Sequence, residues 1–347
     1  VNRYLFITIS LLIFIFSGCE KKEKLWPKII VPAGIQTQIF GLGENYENQI
    51  WFNIADQKTW SNFHSNWEIA FGSGPNNEIV INGGKNGNIG VHEFAMSRYN
   101  DFTKVNISGI PALDWKFDNP SGQADSMAFN AWCNPNGSGG FLGKNSLYLI
   151  DRGDDSMGNK RYIQLILHSR IGGNYHFSWN YALDTAQAKH DVYINPSLSK
   201  NYVYYNFGKA DTVENEPTTN NNWDLVFTTY KKFIPDPSNG NKPYPYVLRG
   251  VLYNPNGVKV YDVPNVGLNT WEQLDLLYAK SITCSTIRDE IGYDWKIWNM
   301  SANKYTMANK IYIIKDTKDN YFKFKFVDFY DDNGKKGYPK MAWELLK

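Results

Sequence analysis

Residues 320–346, NYFKFKFVDFYDDNGKKGYPKMAWELL, decide the fold. Phe322, Phe324 and Phe326 alternate with Lys323 and Lys325, the period of two that a half-buried β-strand requires. Asp331, Asp332, Asn333 and Gly334 then interrupt the run with residues that tolerate tight-turn geometry. Met341, Trp343 and Leu345 resume the alternation, so the segment predicts a long β-hairpin with one apolar face.

A weaker copy lies upstream at residues 161–181, RYIQLILHSRIGGNYHFSWNY. Working outward, further landmarks occur twice in the same order. The aromatic run QIWFNI (49–54) is matched by YVYYNF (202–207), and NWEIAF (66–71) by NWDLVF (222–227). EIVIN with Gly83 and Gly84 is matched to YVL (246–248) with Arg249 and Gly250, and Asp114-Trp115-Lys116 to Asp294-Trp295-Lys296. NSLYLI (145–150) and NKIYII (309–314) then lead into the two hairpins. A unit of this size exceeds a solenoid repeat, which runs about 20–50 residues. The expected fold is all-β, with two tandem domains at 45–183 and 201–347 joined by a linker at 184–200. Helix is scarce; residues 270–279 (TWEQLDLLYA) are the best short candidate.

Composition agrees. The 347 residues include 23 Tyr, 20 Phe and 12 Trp, usage that favours strands over helices. The 36 basic and 34 acidic residues are interspersed, which leaves no electrostatic case for nucleic acid. Residues 1–18 read as a signal peptide, with Arg3 ahead of the apolar run LFITISLLIFIF (5–16) and Ser17-Gly18-Cys19 behind it. Cys19 is the expected lipidation site, and residues 19–44, opening with EKKEK (20–24), the expected tether. Cys133 and Cys284 fall in different halves, and no motif pairs them.

At these residues the sequence resembles the HmuY-like family, haem-binding surface lipoproteins of Bacteroidota. The features that carry it are NWDLVF (222–227), Asn82-Gly83-Gly84, WKIWN (295–299), YIIK (312–315), the closing hairpin and the lipobox-like Ser-Gly-Cys. The second copy matches better than the first. The resemblance implies antiparallel strands, an outer-membrane lipid anchor exposed at the cell surface, and haem or a related tetrapyrrole held without catalysis. It also implies partnership with a haem-carrying protein or an outer-membrane transporter. Family members hold haem with two axial side chains, a His pair or in some members Met. Here the chain departs from the pattern, because the second copy contains no histidine.

The ligand candidates are therefore weighed on their own chemistry. His92 and Met96 follow the glycine-rich run 82–87, and Met300 and Met307 lie ahead of the closing hairpin; imidazole and thioether both ligate haem iron. His168 and His176 sit on the two arms of the upstream hairpin. Ile163, Leu165 and Leu167 share a face with Tyr175, Phe177 and Trp179 if the loop is odd, for instance Ile171-Gly172-Gly173. The two histidines then stand opposite each other, too close to clamp haem from both sides, and no third ligand at metal-site spacing accompanies them. A rival reading keeps the fold and binds a glycan or a protein through exposed aromatics such as Trp60, Trp132 or Trp298. No hydrolase, metalloprotease or phosphate-loop motif occurs, so no enzyme is expected.

Overall fold

The computed structural model describes residues 34–75, 77–85, 89–94, 102, 105–144, 146–184, 189–264 and 270–347. The signal segment, Cys19, most of the tether and Met96 lie outside the described residues.

The chain is almost entirely β. It opens with β1 (Gln36–Ile39), β2 (Asn48–Asn53), β3 (Lys58–Phe63), β4 (Ile69–Gly72) and β5 (Ile79–Ile81). There follow β6 (Gly90–Phe94), β7 (Cys133–Pro135), β8 (Phe141–Gly143), β9 (Leu147–Asp151), β10 (Tyr162–Ile171) and β11 (Asn174–Tyr181). The series then restarts with β12 (His190–Ile194), β13 (Tyr202–Asn206), β14 (Asp211–Val213), β15 (Leu225–Asp236) and β16 (Lys242–Tyr253). It closes with β17 (Lys259–Asp262), α1 (Leu276–Ser281), β18 (Lys296–Asn299), β19 (Lys304–Met307), β20 (Tyr312–Lys315), β21 (Tyr321–Tyr330) and β22 (Lys336–Leu345).

The strand pairing defines two equivalent units. One large sheet runs β1-β22-β21-β20-β17, and the other contains β12-β11-β10-β9-β6 together with β8 and β7. The smaller sheets run β16-β15-β2-β3 and β5-β4-β13-β14. Each copy thus lends its first three strands to the other copy's sheets. The registers coincide: Phe52 opposes Leu225 and Trp51 opposes Val226, while Tyr205 opposes Ile69 and Tyr204 opposes Ala70.

Hydrogen bonds repeat the same plan. Asp224 N–H donates to Phe52 O at 2.8 Å, and Glu68 N–H to Tyr205 O at 3.0 Å. In return Ile54 N–H donates to Asp224 Oδ2 at 2.8 Å, and Phe207 N–H to Glu68 Oε2 at 2.7 Å. Trp51 packs edge-on to Trp223 at 4.6 Å, and Trp67 to Tyr204 at 5.0 Å. One core accordingly joins Phe40, Phe52 and Ile54 to Leu225, Phe324 and Trp343. The other joins Tyr205 and Phe207 to Ile69, Phe71, Leu165 and Trp179.

Several expectations change in detail. The stretch 184–200 contains β12, whose Val192 and Ile194 pack on the first core, and residues 36–39 of the expected tether form β1. The partner of Asn82 is Asn254 rather than the 246–250 segment. Both side-chain amides tie down the start of the preceding strand, Asn82 through His64 O and Trp67 O, Asn254 through Asn220 O and Trp223 O. The two Asp-Trp-Lys motifs are not equivalent either, since Lys116 bridges Val91 in the place where Ser285 bridges Val260. The segment 270–279 divides into a short 3₁₀ turn, Trp271–Gln273, and α1, because the Asp275 carboxylate accepts from Tyr278 N–H and starts a new helix.

In the closing hairpin Phe322, Phe324, Phe326, Met341 and Trp343 enter the core as the alternation predicts; Leu345, at the sheet end, is 41% exposed. Lys323 is buried on the opposite face, its Nζ donating to Trp271 O at 2.7 Å, because the 270–281 segment covers that face.

Candidate functional site

The interval between β17 and β20 brings α1 and the β18–β19 hairpin to the second unit. Lys296 opposes Met307 and Trp298 opposes Tyr305 across that hairpin. Together with Tyr46, Tyr246, Arg249, Tyr293 and Lys336 it walls a concave cleft of about 630 Å³. That volume lies within the range of ligand pockets, about 300–1,000 Å³.

The cleft is aromatic and cationic. The Arg249 guanidinium lies 4.7 Å over the Tyr46 ring and donates from Nη1 to Val247 O at 3.3 Å, while its buried Nε has no hydrogen-bond partner. Lys296 Nζ donates to Arg249 O at 2.7 Å and sits 4.2 Å over the Trp295 ring. Burial, with Arg249 nearby, lowers the Lys296 ammonium pKa to about 7, opposed by Asp294. Trp298 is 42% exposed at the mouth.

The sequence-predicted ligands fall in different places. Met300 stands in the turn joining β18 to β19 and is 85% exposed, whereas Met307 packs against the second core. His92 lies on β6 of the first unit, its Nδ1 3.3 Å from Asp114 O and its ring 4.6 Å from Phe94. It adjoins Trp115, which with Ile110, Arg161, Tyr162 and Lys231 lines a second hollow of about 580 Å³.

The glycine-rich run beside His92 is not a free loop over its described residues. A Cβ on Gly84 would sit 2.1 Å from Thr229 O, so the glycine lets β15 approach, and the buried Lys85 pairs with Glu68 at 2.7 Å. Among the exposed-aromatic candidates, Trp132 is core, with Nε1 donating to Asn77 O, and Trp60 packs half-buried on a small cluster. Trp298 lines the cleft, whereas Trp132 borders a separate, smaller hollow of about 240 Å³. Composition hinted at aromatic walls; their convergence with Arg249 and Tyr46 depends on strand exchange, which leaves no local signal.

The upstream hairpin also differs from expectation. Its loop is the two-residue Gly172-Gly173, both at positive φ, between paired Ile171 and Asn174. The odd residue that keeps the apolar faces together is a bulge at His168 between Leu167 and Ser169.

A model of the HmuY protein family matches residues 45–195 and 253–343, more than half of the chain. The chain belongs to the HmuY family. The family is non-catalytic, and this HmuY-like chain is not an enzyme. Among solved structures it is similar to apo PinO from Porphyromonas gingivitis, at 11% identity and a TM-score of 0.25, over 91% of this chain and 99% of that one. It is also similar to the apo HmuY analog TFO of Tannerella forsythia, at 8% identity and a TM-score of 0.25, over 94% and 100% of the two chains. No curated relative matches.

Proposed function

We propose that the protein is a surface-exposed outer-membrane lipoprotein, anchored through Cys19, that binds haem or a related tetrapyrrole in the cleft beneath the β18–β19 hairpin. Family membership supports the ligand class, and the cleft supports the place. The observation that carries the reading is the orphaned Nε of Arg249, whose guanidinium lies over the Tyr46 ring in an aromatic-walled cleft. A flat ring bearing carboxylates supplies both a face for Tyr46, Trp298 and Tyr305 and an anion for Arg249 and Lys336.

The donor set fits a haem held mainly by its rim and face. Met300, exposed on the hairpin turn outside the residues that line the cleft, is the proposed thioether for the iron, and Met307 stays in the core. His92 and Met96 are the corresponding ligand proposal for the first unit. Bound iron supplies the chemistry of ligand exchange with a haem-carrying protein or an outer-membrane transporter. The chain's own part is to exclude water from the ring and to release it intact.

Haemin titrated into residues 20–347 tests this by absorbance. A saturable, sharpened Soret band is expected, weakened by Arg249→Ala and shifted by Met300→Ala. Spectra that merely sum free haemin and protein would remove the haem reading. Glycan-array binding lost in Trp298→Ala, without a haem signal, would replace it with the adhesion reading that the exposed Trp298 supports.

A further inference from the structure

On the outer face of the first unit's large sheet, three neighbouring strands converge three ligating side chains. His168 comes from β10, His176 from β11 and Asp191 from β12, and their ligand atoms all lie within 4.8 Å of one another. The histidine rings are 4.5 Å apart between centroids. His176 Nε2 is 2.9 Å from Asp191 Oδ1. Ser178 Oγ donates to the same Asp191 oxygen at 2.8 Å and lies 2.7 Å from His168 Nε2. We propose that this cluster binds one divalent transition ion of the zinc class, with His168, His176 and Asp191 as ligands.

The local structure explains how the three meet. The bulge at His168 turns its side chain toward His176, which an unbroken strand would place one position out of phase. Asp191 opposes Ser178 across the β11–β12 pair, which puts its carboxylate beside both rings. Tyr193 stacks on His176 at 4.2 Å and fixes the ring plane. Two imidazoles and a carboxylate select zinc, nickel or copper over magnesium and calcium, which take oxygen cages. Zinc bonds of about 2.0–2.2 Å need the donor atoms to close by about an ångström or so, within reach of rotation of half-exposed side chains. Ser178 then keeps its hydrogen bond to Asp191 as an outer support. Three protein ligands leave the fourth position for water or for a donor from outside the chain.

The second unit supplies an internal comparison. Its hairpin carries the same bulge, between Phe326 and Asp328, so the bulge belongs to the scaffold. The residues in register with His168, His176, Ser178 and Asp191 are Val327, Lys340, Ala342 and Thr37, none of them zinc ligands. The fold therefore forms without the cluster, and the ligating set is particular to the first unit.

Zinc chloride titrated calorimetrically into residues 20–347, after stripping with a chelator, decides the matter. One equivalent per chain is expected, weakened at least tenfold in Asp191→Asn and lost in the double variant His168→Gln/His176→Gln. Cobalt(II) provides a second readout in the unaltered chain: paramagnetically shifted imidazole protons from two histidines. Absence of saturable zinc binding overturns the proposal. So does binding unchanged in the double variant, or cobalt shifts on residues other than these three. Neither readout involves haem, so the outcome stands apart from that of the haemin titration.

Discussion

Glu68 and Asp224 occupy equivalent positions, yet substitution to the amide is expected to act in opposite directions. Each follows the landmark tryptophan of its copy, Trp67 or Trp223, and each carboxylate accepts a backbone N–H from a strand of the other copy. Glu68 also takes Lys85 Nζ at 2.7 Å and Arg152 Nη2 at 2.6 Å, both largely buried. Glu68→Gln removes the charge that compensates two buried cations, which costs about 3–5 kcal/mol. Asp224 is in no buried ion pair of that kind: Oδ2 accepts from Ile54 N–H, and Lys318 lies only near enough to act at a distance. Burial, reinforced by Asp316 and opposed by the Ile54 and Thr317 N–H groups and by Lys318, raises its pKa from 3.8 to about 7. The folded value lies above the unfolded one, so this group's contribution is full below pH 3.8 and is lost as pH rises through about 7. The amide of the Asp224→Asn variant has no charge to bury. Relative to the parent, Asp224→Asn should gain up to about 4 kcal/mol at pH 8 but only about 1.5 kcal/mol at pH 5. Urea unfolding of residues 20–347 at the two pH values measures both variants. An Asp224→Asn protein less stable than the parent at pH 8, or a gain that does not grow with pH, would refute the reasoning.

Two further expectations concern packing and thiols. Gly84→Ala places a Cβ against the Thr229 carbonyl and should cost about 1–3 kcal/mol by overpacking, while Gly74→Ala, with open space around it, should be near neutral; thermal melts of both compare them. Cys133 and Cys284 are free thiols whose pKa values burial pushes up, so two slowly reacting thiols should titrate in residues 20–347, faster after denaturation. A count of zero thiols would mean that the pair is oxidised.

The duplication was legible because apolar alternation and the Asn-Trp-acid landmarks survive in both copies. The strand exchange was not. QIWFNI and YVYYNF present the same faces in the same register to either copy's Asn-Trp strand, so alternation alone does not select the partner. Chain connection selects it. β11 ends at Tyr181 and β12 begins at His190, close enough for an antiparallel neighbour, so the second copy's first strand stays on the first copy's hairpin. β1, the equivalent strand, is then left to pair with β22 and closes the molecule on itself. The metal-type cluster was half legible for the same reason: the hairpin brought two histidines together in sequence, while Asp191 stood in a stretch read as linker.

Equivalence between the copies also indicates where function resides. The strands that coincide, β4 with β15, β9 with β20 and β10 with β21, hold the cores and tolerate little change in volume. Among the described residues the copies diverge in the length of one hairpin, short in β4–β5 and long in β15–β16, and in the interval between β6 and β9 in the first and between β17 and β20 in the second. There the first copy places Trp115 and the β7–β8 pair, and the second places α1 and the β18–β19 hairpin with Trp298, Met300 and Tyr305. A rigid scaffold carrying variable connections is the arrangement in which binding specificity resides in the connections. Landmarks shared with a family therefore identify the scaffold, whereas the cleft residues such as Arg249, Trp298 and Tyr305 differ between the copies. The closing hairpin specifies the fold and, through β22, anchors the opposite end of the chain, but it contributes only Lys336 to the cleft.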